Sequence, residues 1–264
     1  MTSTSTTLTT DVRSAGRPPR LGRSHLVELA DRLTAAELYN VADEIRTRVD
    51  RMGTINASIV GHVADVDQTR TRVVLAIAAG DLTPADAALE LDDVVRQNAV
   101  GPLSSQLAEQ AVAQLCHFVA AYLHAAGDGM IRSLDELVQE SAAKITTAVK
   151  ITDAAGITDD TAAVRATPEA AAAWSLMVAE TERVEACWNA ASLLRQRQLV
   201  PTLRRDPSTR GAFFEWRNQD ALADVQPPRR PAVDHPAHKM ARRILAGAQP
   251  AVLTAIEAAG LYLR

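Results

Sequence analysis

The chain has 264 residues, 47% of them apolar, 3% aromatic and 23% charged, with a formal net charge of −4. That length supports one large domain or two small ones, and a chain of this size buries roughly 75% of the surface its unfolded form exposes, so folding requires neither disulfide nor metal. The composition, with Cys116 and Cys187 as its two cysteines, excludes a collagen, a disulfide-rich secreted scaffold and wholesale disorder, and no run of about 18 apolar residues exists to span a bilayer.

Residues 1–23 are Ser/Thr-rich and end in an Arg17-Pro18-Pro19-Arg20 stretch. They lack the apolar core of a secretory signal and read as a disordered tail on a cytoplasmic protein. Residues 24–199 read as an acidic helical bundle. Leu26, Leu29 and Leu33 begin it. Thr34-Ala35-Ala36-Glu37 has the form of a capping box, and Leu38, Val41, Ile45, Val49 and Met52 follow at helical spacing but out of phase with the first stripe, which predicts a break near Thr34. The stripe continues through Ile55, Ile59, Val63, Val66, Val73 and Ile77 to a C-cap at Gly80.

Thr83-Pro84-Ala85-Asp86 supplies an N-cap, a proline at the first helical position and an acid near the positive end of the dipole. Gly101-Pro102 predicts the end of that helix near Val100. The next carries two adjacent stripes, Leu103, Leu107, Ala111, Phe118 and Tyr122 beside Val112, Cys116, Val119 and Leu123, a width that predicts burial on more than one side. A further helix is predicted over 130–150. Thr167-Pro168-Glu169 opens the longest predicted helix, about 45 Å to Gln198, on which Trp174, Met177, Thr181, Val184, Trp188 and Ala191 form a coiled-coil-like seam.

Six prolines from Pro201 to Pro236 mark 200–236 as a connector, and 237–264 reads as a helical hairpin of His238–Ala248 and Pro250–Tyr262. Period-two alternation is missing throughout. The expected fold is all-α: an elongated antiparallel bundle of about six helices, a Pro/Arg-rich connector and a C-terminal helical hairpin.

Charge is unevenly laid out. Ser24 to Leu194 holds 12 Lys+Arg against 25 Asp+Glu, a net of −13, while Arg195 to Arg243 holds 11 against 5, a net of +6. Lysine occurs only at Lys144, Lys150 and Lys239. With the high alanine content, this reads as the codon bias of a GC-rich bacterium or one of its phages or plasmids. The basic stretch has two readings. One is a linker against the acidic bundle, anchored by Phe213, Phe214 and Trp216. The other is a nucleic-acid contact in which Arg204, Arg205, Arg210, Arg217, Arg229, Arg230, Arg242 and Arg243 neutralise phosphates and the aromatic residues stack on bases.

Residue spacing argues against each catalytic or metal site. His117 and His124 lie about 10 Å apart along a helix axis, too far to share a metal. His235 and His238 straddle a helix start beside Asp234 and read as capping and surface residues. Cys116 and Cys187 sit within apolar stripes and read as small core residues. Asp92-Asp93 has Arg96 where an aspartate-rich magnesium motif needs a third carboxylate. Glu180, Glu182 and Glu185 lack a Glu-x-x-His partner. Ser141-x-x-Lys144 lacks the companion elements of a serine–lysine acyltransferase. A helix-turn-helix over Val149–Val164 would start its second helix at Asp159-Asp160, presenting carboxylates to phosphates. The expectation is therefore a non-catalytic interaction or assembly protein without cofactor, metal or catalytic residues. It would self-associate through Trp174, Met177, Val184 and Trp188 or through the C-terminal pair, with nucleic-acid binding by residues 195–243 as the alternative. The acid–base asymmetry would guide docking more than it would supply affinity.

Overall fold

The structure, a computed structural model, describes residues 19–79, 83–201, 214–218 and 235–261. It is all-α. Seven helices are described: α1 (Arg23–Ala35), α2 (Tyr39–Ala79), α3 (Pro84–Ala154), α4 (Asp160–Val164), α5 (Pro168–Gln196), α6 (Pro236–Leu245) and α7 (Ala255–Leu261). Among the described residues the one extended pairing is an isolated antiparallel bridge between Trp216 and Pro250. None of these helices is long and apolar enough to cross a membrane. Most of the predicted N-terminal tail and most of the connector lie outside the described residues; Leu21, assigned to the tail, is a buried core residue.

Thr34 is not an N-cap. It closes α1, its hydroxyl donating to the Ala30 carbonyl at 2.8 Å. Glu37 then takes a left-handed backbone, φ 63°, while the Glu37 amide donates to Thr34 O and the Leu38 amide to Leu33 O. That paired hydrogen-bond pattern is a Schellman C-cap, so the four residues end one helix rather than start the next. The predicted break stands where it was expected. The same double bond closes α3 at Gly156, α5 at Gln198 and α6 at Gly247, each with positive φ.

The larger correction concerns α3. It runs without interruption through Gly101-Pro102 and through the gap expected before Met130, so three predicted helices are one helix of 71 residues. An interior proline costs about 3 kcal/mol by removing one amide donor and crowding one carbonyl. That local cost does not override propagation along residues on both sides that favour helix. The predicted caps at Thr83 and Thr167 are present: the Asp86 amide donates to Thr83 Oγ1 at 3.2 Å and the Ala170 amide to Thr167 Oγ1 at 3.4 Å.

The chain divides into two compact units. One comprises residues 20–27 and 43–119, with a core that includes Leu26, Ile45, Met52, Val73, Cys116 and Val119. Cys116 Sγ lies 3.7 Å from Met52 Sδ, joining α3 to α2.

The other unit contains residues 28–42 and 120–261 of the described chain, its core built on Leu33, Leu123, Leu134, Ile145, Met177 and Leu194. Within it α5 packs against α4 and α6. Gly127 lets the end of α5 approach α3. A Cβ there would lie 2.7 Å from Val200 Cγ1 and 2.8 Å from the Leu199 carbonyl oxygen, and the same carbonyl sits 3.2 Å from His124 Nδ1. Gly127→Ala is therefore expected to destabilise by about 1–3 kcal/mol despite alanine's better helix propensity. Urea unfolding checks this, and an unchanged midpoint would show that the 199–200 segment yields freely.

Candidate functional site

Among the described residues, three groupings of side chains carry the potential for chemistry or recognition. The first is polar and lies in the second unit. Ser141 is fully buried on α3 and donates to Glu180 Oε2 of α5 at 2.7 Å. Lys144, one turn from Ser141, contacts Glu140 Oε1 at 2.8 Å and Glu180 Oε1 at 2.9 Å. Arg183 reaches Glu37 Oε2 at 2.6 Å and approaches Glu180 Oε2 at 3.5 Å and Glu140 Oε2 at 3.6 Å. So the Ser-x-x-Lys spacing converges on one carboxylate. It is built the wrong way round for a serine nucleophile. The Ser141 hydroxyl is turned to Glu180 and the Lys144 ammonium to Glu140 and Glu180, and those hydrogen bonds, Glu140's first, hold Lys144 above its ordinary pKa. Burial opposes ionisation of Glu180, but hydrogen bonds from Ser141 and Lys144, with the nearby Arg183 charge, hold its carboxyl below the usual value. The cluster cross-links α1's C-terminus, α3 and α5.

The second grouping is the basic stretch. Residues 214–218 lie alongside 249–253, with Arg217 N to Gln249 O at 2.9 Å, Ala251 N to Glu215 O at 2.7 Å and Leu253 N to Phe214 O at 3.0 Å. Helix side chains satisfy most of the remaining backbone groups. Gln139 Nε2 donates to Pro250 O at 2.7 Å, Trp188 Nε1 to Ala251 O at 2.8 Å and Arg195 Nη2 to Leu253 O at 2.9 Å, while Val252 N donates to Asp135 Oδ1 at 2.9 Å. This explains why 250–254 is not helical although the apolar spacing predicts helix from Pro250. Its amides and carbonyls already have partners outside a helical ladder.

That arrangement decides the roles of Phe214 and Trp216; Phe213 lies outside the described residues. Phe214 is 3% and Trp216 2% exposed. Arg195 lies 3.9 Å over the Phe214 ring, and Trp188 packs on Trp216 at 5.5 Å. They anchor the connector to the helices and do not face outward to stack on bases. Burial pushes Arg195 down to about 10 and Glu215 up from its ordinary value, each countered in part by the other's charge. Arg217 is bonded to Asp135, and Arg243 lies 5.7 Å from the centre of the Trp216 ring. Arg242 is exposed on α6. Arg204, Arg205, Arg210, Arg229 and Arg230 lie outside the described residues.

The predicted seam is used within the chain. Trp174, Met177 and Val184 are at most 2% exposed, and Trp188 is half-buried against the connector. Trp174 Nε1 donates to Asp160 Oδ1 at 2.7 Å, and His235, capping α6 through Nδ1, packs on the Trp174 ring at 5.1 Å. Trp174, Met177 and Val184 are thus covered by the chain itself. Asp159 caps α4, which has only five residues and is too short for a recognition helix. Cys116 and Cys187 are both buried, and burial pushes the Cys187 thiol up to about 12, far from a nucleophile's range. Among the described residues no three potential ligands are grouped to hold a metal.

The third grouping is a face of α3. Of the two stripes read from the sequence, one is buried at Cys116, Val119 and Leu123, but the other is open: Leu107 is 65% and Phe118 60% exposed. The stripe was legible, but its covering was not. Between Arg96 and Asp128 the sole Asp, Glu, Lys or Arg is Glu109, which at 100° per residue projects about 170° away from the Leu107–Phe118 line. Comparison with protein-family models, curated proteins and solved structures finds no match.

Proposed function

We propose that the chain is a non-catalytic helical interaction protein that assembles with copies of itself, in the cytoplasm of a GC-rich bacterium or carried by one of its phages or plasmids. The supporting observation is the open face of α3. Single exposed apolar residues are ordinary, but Leu107 and Phe118 share one line on a helix stretch almost free of charge. Charge depletion with an aromatic anchor is the composition of an interface core. The polar cluster offers no open nucleophile, because its serine is fully buried.

Light scattering behind size exclusion, at low and high salt and over a range of loading concentrations, tests this. The expected result is a nucleic-acid-free species heavier than the 28.3 kDa chain, dissociating on dilution and insensitive to salt, as apolar contacts are. A 28.3 kDa species throughout would overturn the reading. Nucleic acid carried at low salt and lost at high salt would favour the arginines of 195–243 instead.

A further inference from the structure

Resting on the self-association reading, we infer that α3 pairs antiparallel with α3 of a second copy, about a two-fold axis crossing the helix midway between Ala111 and Gln114. At 100° per residue Leu107, Ala111, Gln114 and Phe118 fall within about 60° of arc, a single narrow line. Leu107, Gln114 and Phe118 are exposed and Ala111 is half-buried, while Ala108, Cys116 and Val119 on the other side are buried in the chain's own core.

The steps along this line are four, three and four residues, the same read in either direction. An isologous contact needs this: if residue i meets j, then j must meet i. Antiparallel pairing seats Leu107 of each copy on Phe118 of the other and Ala111 opposite Gln114, so large and small side chains alternate across the contact. Parallel pairing would place Phe118 on Phe118 and leave two alanines facing a gap.

Charge selects the occupant. Nucleic acid requires cations, and an amphipathic helix lying on a membrane carries a broad apolar face flanked by Lys and Arg. This stretch has neither Lys nor Arg between Arg96 and Asp128. Two copies of an uncharged face meet without like-charge repulsion.

Sedimentation equilibrium on the full chain reads the dimer constant of the unaltered protein, Leu107→Glu and Phe118→Glu. Each substitution is expected to weaken association at least 100-fold, with helical circular dichroism unchanged and, at concentrations where the unaltered protein is monomeric, the urea midpoint unchanged, since both side chains are exposed. Leu107→Cys and Phe118→Cys chains, one carrying a mass tag, are then mixed under mild oxidation. The mixed dimer keeps one Leu107–Phe118 contact intact and brings the two new thiols together on the other side of the axis, so a disulfide-linked heterodimer is expected. Homodisulfides within each variant alone would overturn the antiparallel register. A dimer that survives both glutamate changes would overturn this face while leaving self-association standing, and an unaltered protein that is monomeric at every concentration would overturn both. Should the glutamate variants unfold, the cysteine pair decides.

Discussion

Trp216→Ala is expected to cost about 3–5 kcal/mol of stability, the range for deleting a buried large aromatic side chain, and to release the C-terminal segment. Trp216 is 2% exposed, packs on Trp188, and belongs to the short run whose backbone pairs with residues 249–253. The stored free energy of a domain is only about 5–15 kcal/mol, so the loss is a large fraction of it. Its consequences need not spread evenly. The segment 249–253 is held by Gln139, Asp135, Trp188 and Arg195, side chains of α3 and α5 whose own helical hydrogen bonds do not depend on it. Amide exchange at Ala251 and Leu253 is therefore expected to accelerate far more than exchange in the middle of α5. Equal acceleration in both places would show that the connector and the helices open as one unit. Retention of the unaltered urea midpoint would show that Trp216 contributes no net packing.

The sequence made the helical content legible because periodicity and caps agree. Thr83 and Thr167 cap as their residue types require, and the alternation of three and four residues from Trp174 to Val184 does mark a buried face. What escaped it has two causes. At Thr34–Glu37 and Pro250–Thr254 a local signal has two solutions: a hydroxyl followed by a glutamate fits a helix start, yet Glu37 accepts a left-handed backbone, and an apolar run after a proline fits a helix, yet Asp135, Gln139 and Arg195, more than 50 residues away in sequence, supply its hydrogen bonds. At Gly101-Pro102 two breaker residues are outweighed by their neighbours. Covering is the other cause. Periodicity tells that Leu107 and Phe118 share a line, and that Met177 and Val184 share another, but not which line the chain covers itself. The sequence alone points to α5 or to the C-terminal pair as the contact surface; the surface proposed above is on α3. Ser141 and Lys144 illustrate the same limit: the spacing was visible, while the carboxylate that neutralises it comes from a helix 39 residues away.

That carboxylate supplies the second large effect. Glu180→Leu is expected to destabilise the chain by about 2–4 kcal/mol at pH 7, because the buried Ser141 hydroxyl loses its acceptor and Lys144 and Arg183 lose a shared counter-charge. Glu140 and Glu37 remain to pair with the cations, which keeps the loss below that of stranding them entirely. Adding Ser141→Ala should recover part of the deficit, since no unsatisfied hydroxyl is then buried, and the double variant should cost less than the two single changes combined. The pH dependence has a fixed sign. Glu180's carboxyl titrates lower in the folded chain than in the unfolded one, so its contribution is fully present above the ordinary carboxylate range and is lost as pH falls through the folded value. The gap between the unaltered protein and Glu180→Gln, measured by urea unfolding, should therefore be widest near neutrality and narrow steadily below about pH 4.5. A gap that widened on acidification would mean that burial, which pushes the carboxyl the other way, outweighs Ser141, Lys144 and Arg183. The cluster would then be a cost carried by the fold rather than a cross-link between its helices.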